Sequence, residues 1–439
     1  MRYDHITELI GDTPLLRLDP AVHGLADVEL YAKLEFFNPF GSVKDRVAWG
    51  MIRDEIDEIA ARGQRFIEAS SGNTAKALRI LGAMRGIGLR AVTNRMKVAE
   101  VRDLLELLGT EIEELPGLSE CPDPTTPNDV YSVIEAAMAK RPGAFHHASQ
   151  YTNEKNIEAH HHGTGREIHE DLFRDGITRV DYLIGGLGTT GSTRGAATYL
   201  RKHHPDLRTI AVVSERSDFI PGIRSETEMW DVGLFQPDFY DAIVPVDSGR
   251  AIDATMELAL RHGVLAGPTS GASYAAALDT LAAREPGEPI VAVFIVCDRL
   301  EPYLSYIKQR RPELFGRNAS RTIPPTADEL AAVPPVTPDD LAALDSPIVV
   351  DTRGAMAYRI GHVPGAINIR DDQLDDMLTQ GIPFPRSKPL VFVCPVGELS
   401  RRFAALARRA GHDARSLDGG IVAWRDAGKP LESNNSRPV

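Results

Sequence analysis

The sequence predicts an α/β protein with a large, doubly wound, mostly parallel domain followed by a second, smaller α/β domain. Three observations predict it. From about Asp27 to about Ile307, short apolar runs alternate with amphipathic helical stretches. Near Arg310 the pattern gives way to a segment with six prolines and no apolar period. After it a shorter alternation of the same kind begins, on roughly one hundred residues, which suffices for an independent domain.

In chain order, VELYAKLEF, RFIEAS, LRAVTN, VDYLIGG, TIAVVSE and IVAVFIVCD read as short buried strands. AKALRILGAMRG and VAEVRDLLELLG read as helices between them. Strand and helix in alternation favour a parallel sheet with helices on its faces, and ligands in such folds sit beyond the carboxyl ends of the strands. The first domain is expected over residues 1–310, a proline-rich linker over 311–336, the second domain over 337–432 and a tail over 433–439. In the second domain SPIVVDTRG reads as a strand into a turn, and GHVPGAINI as a turn into a short strand. PLVFVC is a buried strand and LSRRFAALARRAG a helix.

The 439 residues carry 49 basic and 62 acidic side chains, a net charge of −13. That balance argues against nucleic acid or an anionic membrane as the main partner. The three cysteines, Cys121, Cys297 and Cys394, suggest neither a disulfide framework nor a paired-cysteine metal site. The N-terminal MRYDHITELIGDTPL lacks the apolar core of a signal peptide, and no apolar run is long enough to span a bilayer. A reducing cytoplasm is therefore the expected location. His160, His161 and His162 are consecutive and so diverge on any regular element. They make a poor metal site, as do His146–His147 and His203–His204, and no metal is expected.

The chemistry is concentrated at four junctions. In FFNPFGSVKDRVAWG one lysine, Lys44, stands where a tight turn feeds a helix. A cation there opposes the helix dipole, and a lysine becomes a nucleophile only when burial or neighbouring charge makes it neutral. SSGNT (70–74), GGLGTTGS (185–192) and GPTSGAS (267–273) each place hydroxyls and backbone N–H groups before a helical stretch, a setting that suits an anion. One glycine-rich loop is weak evidence, whereas three with an isolated lysine at a fourth junction form a sharper pattern.

These segments, with ELIGDTPLLRL, AKLEFFNPFGSVKDR, EASSGNT, GLGTTGS and LAGPTSGA in that order, resemble the cysteine synthase (O-acetylserine or O-phosphoserine sulfhydrylase) family of fold-type II pyridoxal-phosphate enzymes. The resemblance implies a fold of two doubly wound parallel-sheet subdomains, pyridoxal 5′-phosphate as cofactor and a homodimer. It implies that Lys44 forms the internal aldimine and later carries the Cα proton. Gly188, Thr189, Thr190, Gly191 and Ser192 would hold the cofactor phosphate, and Asn73 the ring hydroxyl. Thr269 would meet the pyridine nitrogen, with the adjacent Ser270 as the alternative. Ser70, Ser71, Gly72, Thr74 and Gln150 would hold the substrate carboxylate. A hydroxyl at the pyridine nitrogen makes the ring a weaker electron sink than a carboxylate would, which favours loss of a β-leaving group. The expected course is β-replacement through an α-aminoacrylate.

The leaving group and nucleophile are less sharply written. Arg216, in SERSDF, matches by position an arginine of the O-phosphoserine-using branch, where a guanidinium would bind phosphate in two-pronged fashion; otherwise it is a surface arginine. The same features occur in relatives that make 2,3-diaminopropionate with an amine nucleophile. After SSGNT the family continues with glycine and an aliphatic residue, whereas this chain has Ala75 and Lys76. Lys76 is read as pointing to water.

In the second domain Cys394 ends a buried strand before PVGELS, where loop N–H groups can surround a sulfur. VVDTRG, GHVPGAINI and LDGGIVAW around it resemble a single rhodanese domain. That resemblance implies that Cys394 carries a sulfane sulfur as a persulfide, with Asp351 and Arg353 mainly structural. Glu398 and Leu399 follow Gly397 where the family often has an arginine two residues after the glycine. A carboxylate beside the sulfur disfavours the thiolate, offset by Arg401 and Arg402, so a carrier other than thiosulfate is expected as donor.

Together the domains imply an enzyme that makes L-cysteine from O-phosphoserine or O-acetylserine, taking its sulfur from sulfide or from a sulfane carrier through the fused rhodanese domain. The alternatives are a 2,3-diaminopropionate-type synthase, a cysteine desulfhydrase or lyase with sulfur flowing the other way, and a silent scaffold presenting the rhodanese domain. The intact Lys44, Asn73 and phosphate loop argue against the scaffold.

Overall fold

A computed structural model describes residues 2–93, 96, 98–115, 130–216, 218–225, 229, 232–284, 287–315 and 325–433. The chain divides into two compact units. One holds nearly all described residues up to Phe315, the other those from Pro325 onward.

The first unit carries two sheets. Its strands are β1 (Leu15–Arg17), β2 (Val28–Leu34), β3 (Arg65–Ala69), β4 (Leu89–Thr93), β5 (Glu111–Glu114), β6 (Phe145–His147), β7 (Tyr182–Gly186), β8 (Arg208–Ser214), β9 (Ala242–Val246) and β10 (Ile290–Val296). The six-stranded sheet has the order β1-β2-β10-β7-β8-β9, and the four-stranded sheet β5-β4-β3-β6. Within the six-stranded sheet only β1 runs antiparallel, against β2. All seven residues of β10 are buried, as a central strand covered on both faces requires. One core joins Leu30, Ile184, Val212, Phe294 and Tyr274. Another joins Phe66 and Leu89 to Met51, Leu78 and Leu81 of the helices Lys44–Ile52 and Asn73–Ala83.

Close helix contacts depend on glycine. A Cβ on Gly50 would stand 2.9 Å from that of Ala159, and one on Gly195 would stand 2.3 Å from the Ile157 carbonyl. The helix Lys155–His160 runs into a π-helical turn, His161–Gly165, before the helix Arg166–Arg174. Beneath it lies a buried charge cluster. The Arg46 guanidinium donates to Glu35 Oε2 at 2.6 Å and to both Glu167 oxygens at 2.7 and 2.6 Å, and Lys33 Nζ lies 2.8 Å from Glu167 Oε2.

The second unit holds β11 (Pro335–Val336), β12 (Ile348–Asp351), β13 (Ile367–Asn368), β14 (Leu390–Val393) and β15 (Ala414–Leu417), in the all-parallel order β11-β15-β14-β12-β13. Within the segment expected as a linker, Ala327–Ala331 is helical. Thr326 and Glu329 form a capping box there, a signal the prolines on either side obscured. Leu330 and Val333 pack on the core of Phe392 and Phe403, so that stretch belongs to the second unit. Among the described residues no helix is long and apolar enough to cross a membrane, and no cluster of three or more side chains could hold a metal ion.

Candidate active site

The candidate residues of the first unit meet in a closed ring of contacts. Lys44 opens its helix directly after a turn in which Ser42 bridges to Asp298, and the Val43 N–H donates to the Cys297 carbonyl at 2.7 Å. Cys297 and Asp298 leave the end of β10. The Asn73 amide donates to Asp298 Oδ2 at 2.7 Å, and the Tyr303 hydroxyl donates to the same oxygen. One residue on from Asn73, the Thr74 hydroxyl donates to Gln150 Oε1 at 2.7 Å. Asn156 then spans from the Gln150 carbonyl (2.8 Å) to Thr189 Oγ1 (2.9 Å). Gly188 lies against the Gly222 carbonyl, and the Thr269 hydroxyl donates to the neighbouring Pro221 carbonyl. Ser270 Oγ accepts from the Cys297 N–H at 2.9 Å and closes the ring.

Two helix starts on this ring face inward with spare donors. Ser70 Oγ accepts from Ala75 N–H at 3.1 Å, and Ser71 and Gly72 stand partly exposed just before the helix Asn73–Ala83. Along 188–192, Thr190 takes a left-handed φ of 67° immediately before the helix Gly191–Leu200. The amides of Gly188, Thr189 and Thr190 have no hydrogen-bond acceptor among the described residues, and those of Gly191 and Ser192, opening the helix, have no intrahelical one. A Cβ on Gly188 would fall 2.7 Å from the Gly222 carbonyl, and one on Gly191 would fall 2.0 Å from Asn156 Oδ1. This is an anion cradle that side chains would fill.

The electrostatics single out Lys44. Burial pushes its ammonium below the ordinary lysine range, against Cys297 and Asp298, which favour the proton. Burial lifts the Cys297 thiol to about 12, with Asp298 adding to the rise, so this cysteine stays protonated. It packs beside the core of Leu183 and Ile295. Burial also raises the Asp45 carboxyl to about 7, opposed by the Phe40 N–H it accepts. His160 is buried and held well below its ordinary value by desolvation, with Arg46 and Lys44 adding to the effect, so it is neutral.

Two expected residues sit differently. Arg216 is exposed on the loop after β8, with no ion-pair or hydrogen-bond partner among the described residues. Lys76 does not point to open water. It is partly buried, and Asp45 and Asp298 are the charges that oppose its desolvation. One turn along the helix from Asn73 puts it on the face that meets Asp298. Asn156, Tyr303 and Asp298 were missed as site residues. Only the turn from β10 into CDRLEPY hinted at the last two, because a strand end is where such folds place ligands.

In the second unit Cys394 follows β14 and is fully buried. Its sulfur accepts from the Gly397 N–H at 3.1 Å and the Ser400 hydroxyl at 3.2 Å, and Ser400 lies 2.8 Å from Ser416 Oγ. Gly420, at φ +60°, abuts this loop. A Cβ there would stand 2.2 Å from the Cys394 carbonyl oxygen. Glu398 is exposed and Arg401 faces Asp418 at 3.7 Å. Asp351 and Arg353 form a buried two-pronged pair at 3.0 and 2.8 Å, and Arg353 also donates to the Gly361 carbonyl.

The family model for pyridoxal-phosphate dependent enzymes matches residues 6–298, and that for rhodanese-like domains matches residues 337–427. Cysteine synthase B of Salmonella typhimurium is 32% identical over 305 residues, 68% of this chain and 94% of that protein. The solved cysteine synthase of Entamoeba histolytica is 27% identical with a TM-score of 0.60, covering 70% of this chain and 90% of its own. An O-acetylserine-dependent cystathionine β-synthase from Helicobacter pylori is 26% identical with a TM-score of 0.58, covering 70% and 98%. With both matches in the order the two units take, this chain belongs to the cysteine synthase group of fold-type II pyridoxal-phosphate-dependent enzymes and carries a rhodanese-like domain after its catalytic unit.

Proposed function

We propose that the first unit exchanges the β-substituent of O-phosphoserine or O-acetylserine for sulfur, forming L-cysteine, and that the second unit delivers the sulfur. The observation that carries this reading is the chain of contacts that joins the turn before a desolvated Lys44 to the 188–192 cradle. Pyridoxal phosphate fits it. The cradle offers unspent N–H groups for one phosphate, and the buried amine suits one aldehyde. Bound there, the cofactor supplies an electron sink for the substrate Cα.

The chain's own residues do the rest. Lys44 Nζ, whose proton burial disfavours, takes and returns the Cα proton. Asn73, whose Nδ2 donates to Asp298 and to the Tyr303 hydroxyl, has its side-chain oxygen left to accept from the ring hydroxyl. Thr269 stands at the pyridine nitrogen. Ser70, Ser71, Gly72 and Thr74 with Gln150 hold the α-carboxylate at a helix start. Exposed Arg216 receives a phosphate leaving group. Cys394 carries sulfane sulfur in the pocket of Gly397 N–H and Ser400 hydroxyl, and two equivalents of an external thiol reduce the persulfide, releasing sulfide for the first unit, restoring the Cys394 thiol and leaving the disulfide of that thiol. We place the enzyme in a reducing cytoplasm as a homodimer, to be checked by light scattering.

The test offers O-phosphoserine and O-acetylserine in turn, then sulfide, a sulfane donor and amino acids. Cysteine formed from sulfide supports the reading. Product formed only with amines assigns a diaminopropionate-type synthase instead, and sulfide released from cysteine assigns a desulfhydrase. Cys394→Ser is expected to abolish use of the sulfane donor and leave the sulfide reaction intact. Equal loss of both, or of neither, overturns the relay.

A further inference from the structure

Cys394, Gly397, Ser400 and Ser416 close a ring of contacts in the second unit, and the hydroxyl protons do not cover every contact in it. The Gly397 N–H donates to the sulfur at 3.1 Å, and the Ser400 hydroxyl lies 3.2 Å from it. Ser400 Oγ and Ser416 Oγ stand 2.8 Å apart, and Ser416 Oγ lies 3.4 Å from the Gly397 carbonyl oxygen. We propose that Ser416 is a positioning residue for sulfur loading: its hydroxyl donates to Ser400 and so turns the Ser400 proton onto the Cys394 sulfur. The inference rests on Cys394 as the sulfane carrier.

Counting protons carries it. The chain from sulfur through Ser400 and Ser416 to the carbonyl has three contacts, and its two hydroxyls bring two protons. The 2.8 Å contact has the ordinary hydroxyl–hydroxyl length and takes one of them. The other lies at one end of the chain, on the sulfur or on the carbonyl. While Cys394 is a thiol, its own proton serves the sulfur end, so Ser400 donates to Ser416 and Ser416 to the carbonyl. Sulfur attacks as the anion, which accepts and does not donate. Both hydroxyls then turn round: Ser416 donates to Ser400, and Ser400 to the sulfur. The carbonyl contact given up is long at 3.4 Å, so the reversal costs little. All three side chains are buried, so bulk water does not supply the missing donor.

Ser416 is needed because Ser400 has another choice. Ser400 stands in the first turn of the helix Glu398–Arg409, where a serine hydroxyl readily turns back on a carbonyl of the preceding turn. Ser416 comes from another element, β15, opposite Phe392 of β14, and holds the Ser400 oxygen from outside its helix. A hydroxyl that accepts a hydrogen bond is also a stronger donor. Among the described residues the sulfur has no donor besides Gly397 and Ser400: Arg401 faces Asp418, and Glu398 is exposed. In loading, the Cys394 thiolate attacks the outer sulfur of a persulfide donor, RSSH. The new S–S bond forms as the donor's own breaks, and RS⁻ leaves. Cys394 keeps the outer sulfur with its proton, and no oxidant or reductant is consumed.

The test loads the reduced full chain with glutathione persulfide, stops the reaction at intervals with an alkylating agent, and follows the gain of one sulfur on the Cys394 peptide by mass spectrometry. Ser416→Ala is expected to slow loading about fivefold, and Ser416→Thr, which keeps the hydroxyl, to stay within about twofold of wild type. Ser400→Ala is expected to slow it about tenfold. Adding Ser416→Ala to Ser400→Ala is expected to change the rate no further, because Ser416 acts through Ser400. A loss of packing alone would slow both backgrounds equally. A Ser416→Ala rate equal to wild type, a Ser416→Thr rate as low as that of Ser416→Ala, or a further fall of the same size in the double variant overturns the role of Ser416 and leaves Cys394 as carrier. Wild-type protein that gains no sulfur at Cys394 overturns the carrier assignment and this inference with it. Should Ser416→Ala fail to fold, Ser416→Gly is read against the same outcomes.

Discussion

Replacing Arg46 with methionine is expected to destabilise the first unit by about 3–5 kcal/mol, the usual consequence of removing one partner from a buried ion pair. Arg46 is the hub of its cluster. Without it Glu35 keeps the Asn38 amide at 2.9 Å and the Thr164 hydroxyl at 3.1 Å but loses its cation. Glu167 keeps Lys33 at 2.8 Å. A second route reaches the same size. Burial pushes the Glu167 carboxyl up, but the Arg46 hydrogen bonds and the charges of Arg46 and Lys33 outweigh it and hold the group at about 2, against an ordinary 4.5. That difference converts to about 3 kcal/mol. Because the folded value is depressed, this stability is complete above the unfolded value and fades as pH falls from about 4.5 toward 2. The assay is a urea series read by hydrogen exchange on peptides from the helix Lys44–Ile52, which follows this unit apart from the other. The gap between wild type and Arg46→Met should shrink as the solution is acidified through that window. Glu35→Gln added to Arg46→Met should lose less than Arg46→Met alone, since the stranded carboxylate is gone. A loss below about 1 kcal/mol, or one that ignores pH, would refute the reasoning.

Gly191→Ala forces Asn156 off Thr189 and Gln150, and is expected to weaken binding of pyridoxal phosphate at least about tenfold in an apoprotein titration. Ser400→Ala removes one of two donors to the Cys394 sulfur. Loading from a sulfane donor, followed by mass spectrometry, should slow about tenfold while cysteine formation from sulfide is unchanged. Gly420→Ala combines a left-handed φ with a Cβ against the Cys394 carbonyl, and should lower the stability of the second unit by about 1–2 kcal/mol in thermal melts.

The strands that carry the site were legible because they are continuous apolar runs. VDYLIGG became β7 and IVAVFIVCD became β10 within two residues at either end. The edge strands were not. β5 is EIEE and β6 is FHH, too short and too polar for any period to show, and each is specified by its pairing with neighbours instead. Loop glycines and hydroxyls were visible because their chemistry is local. Asp298 and Asn156 were not, since each acts on a residue dozens to hundreds of positions away, and nothing local marks an aspartate that ends a strand as the anchor of Asn73. Lys76 was misread for a related reason. A charged residue one turn into a helix faces solvent unless another element covers it, and Lys76 is partly buried.

The fully enclosed sulfur of Cys394 has a bearing on durability. Peroxide and other small oxidants reach a surface thiol freely and drive it up the irreversible ladder to sulfinic and sulfonic acids. Here the side chain has no contact with bulk solvent, and the loop that brings the Gly397 N–H to the sulfur lies against Gly420. Reaction with any reagent must wait for this loop to move. The same enclosure keeps the thiol from oxidation in aerated surroundings.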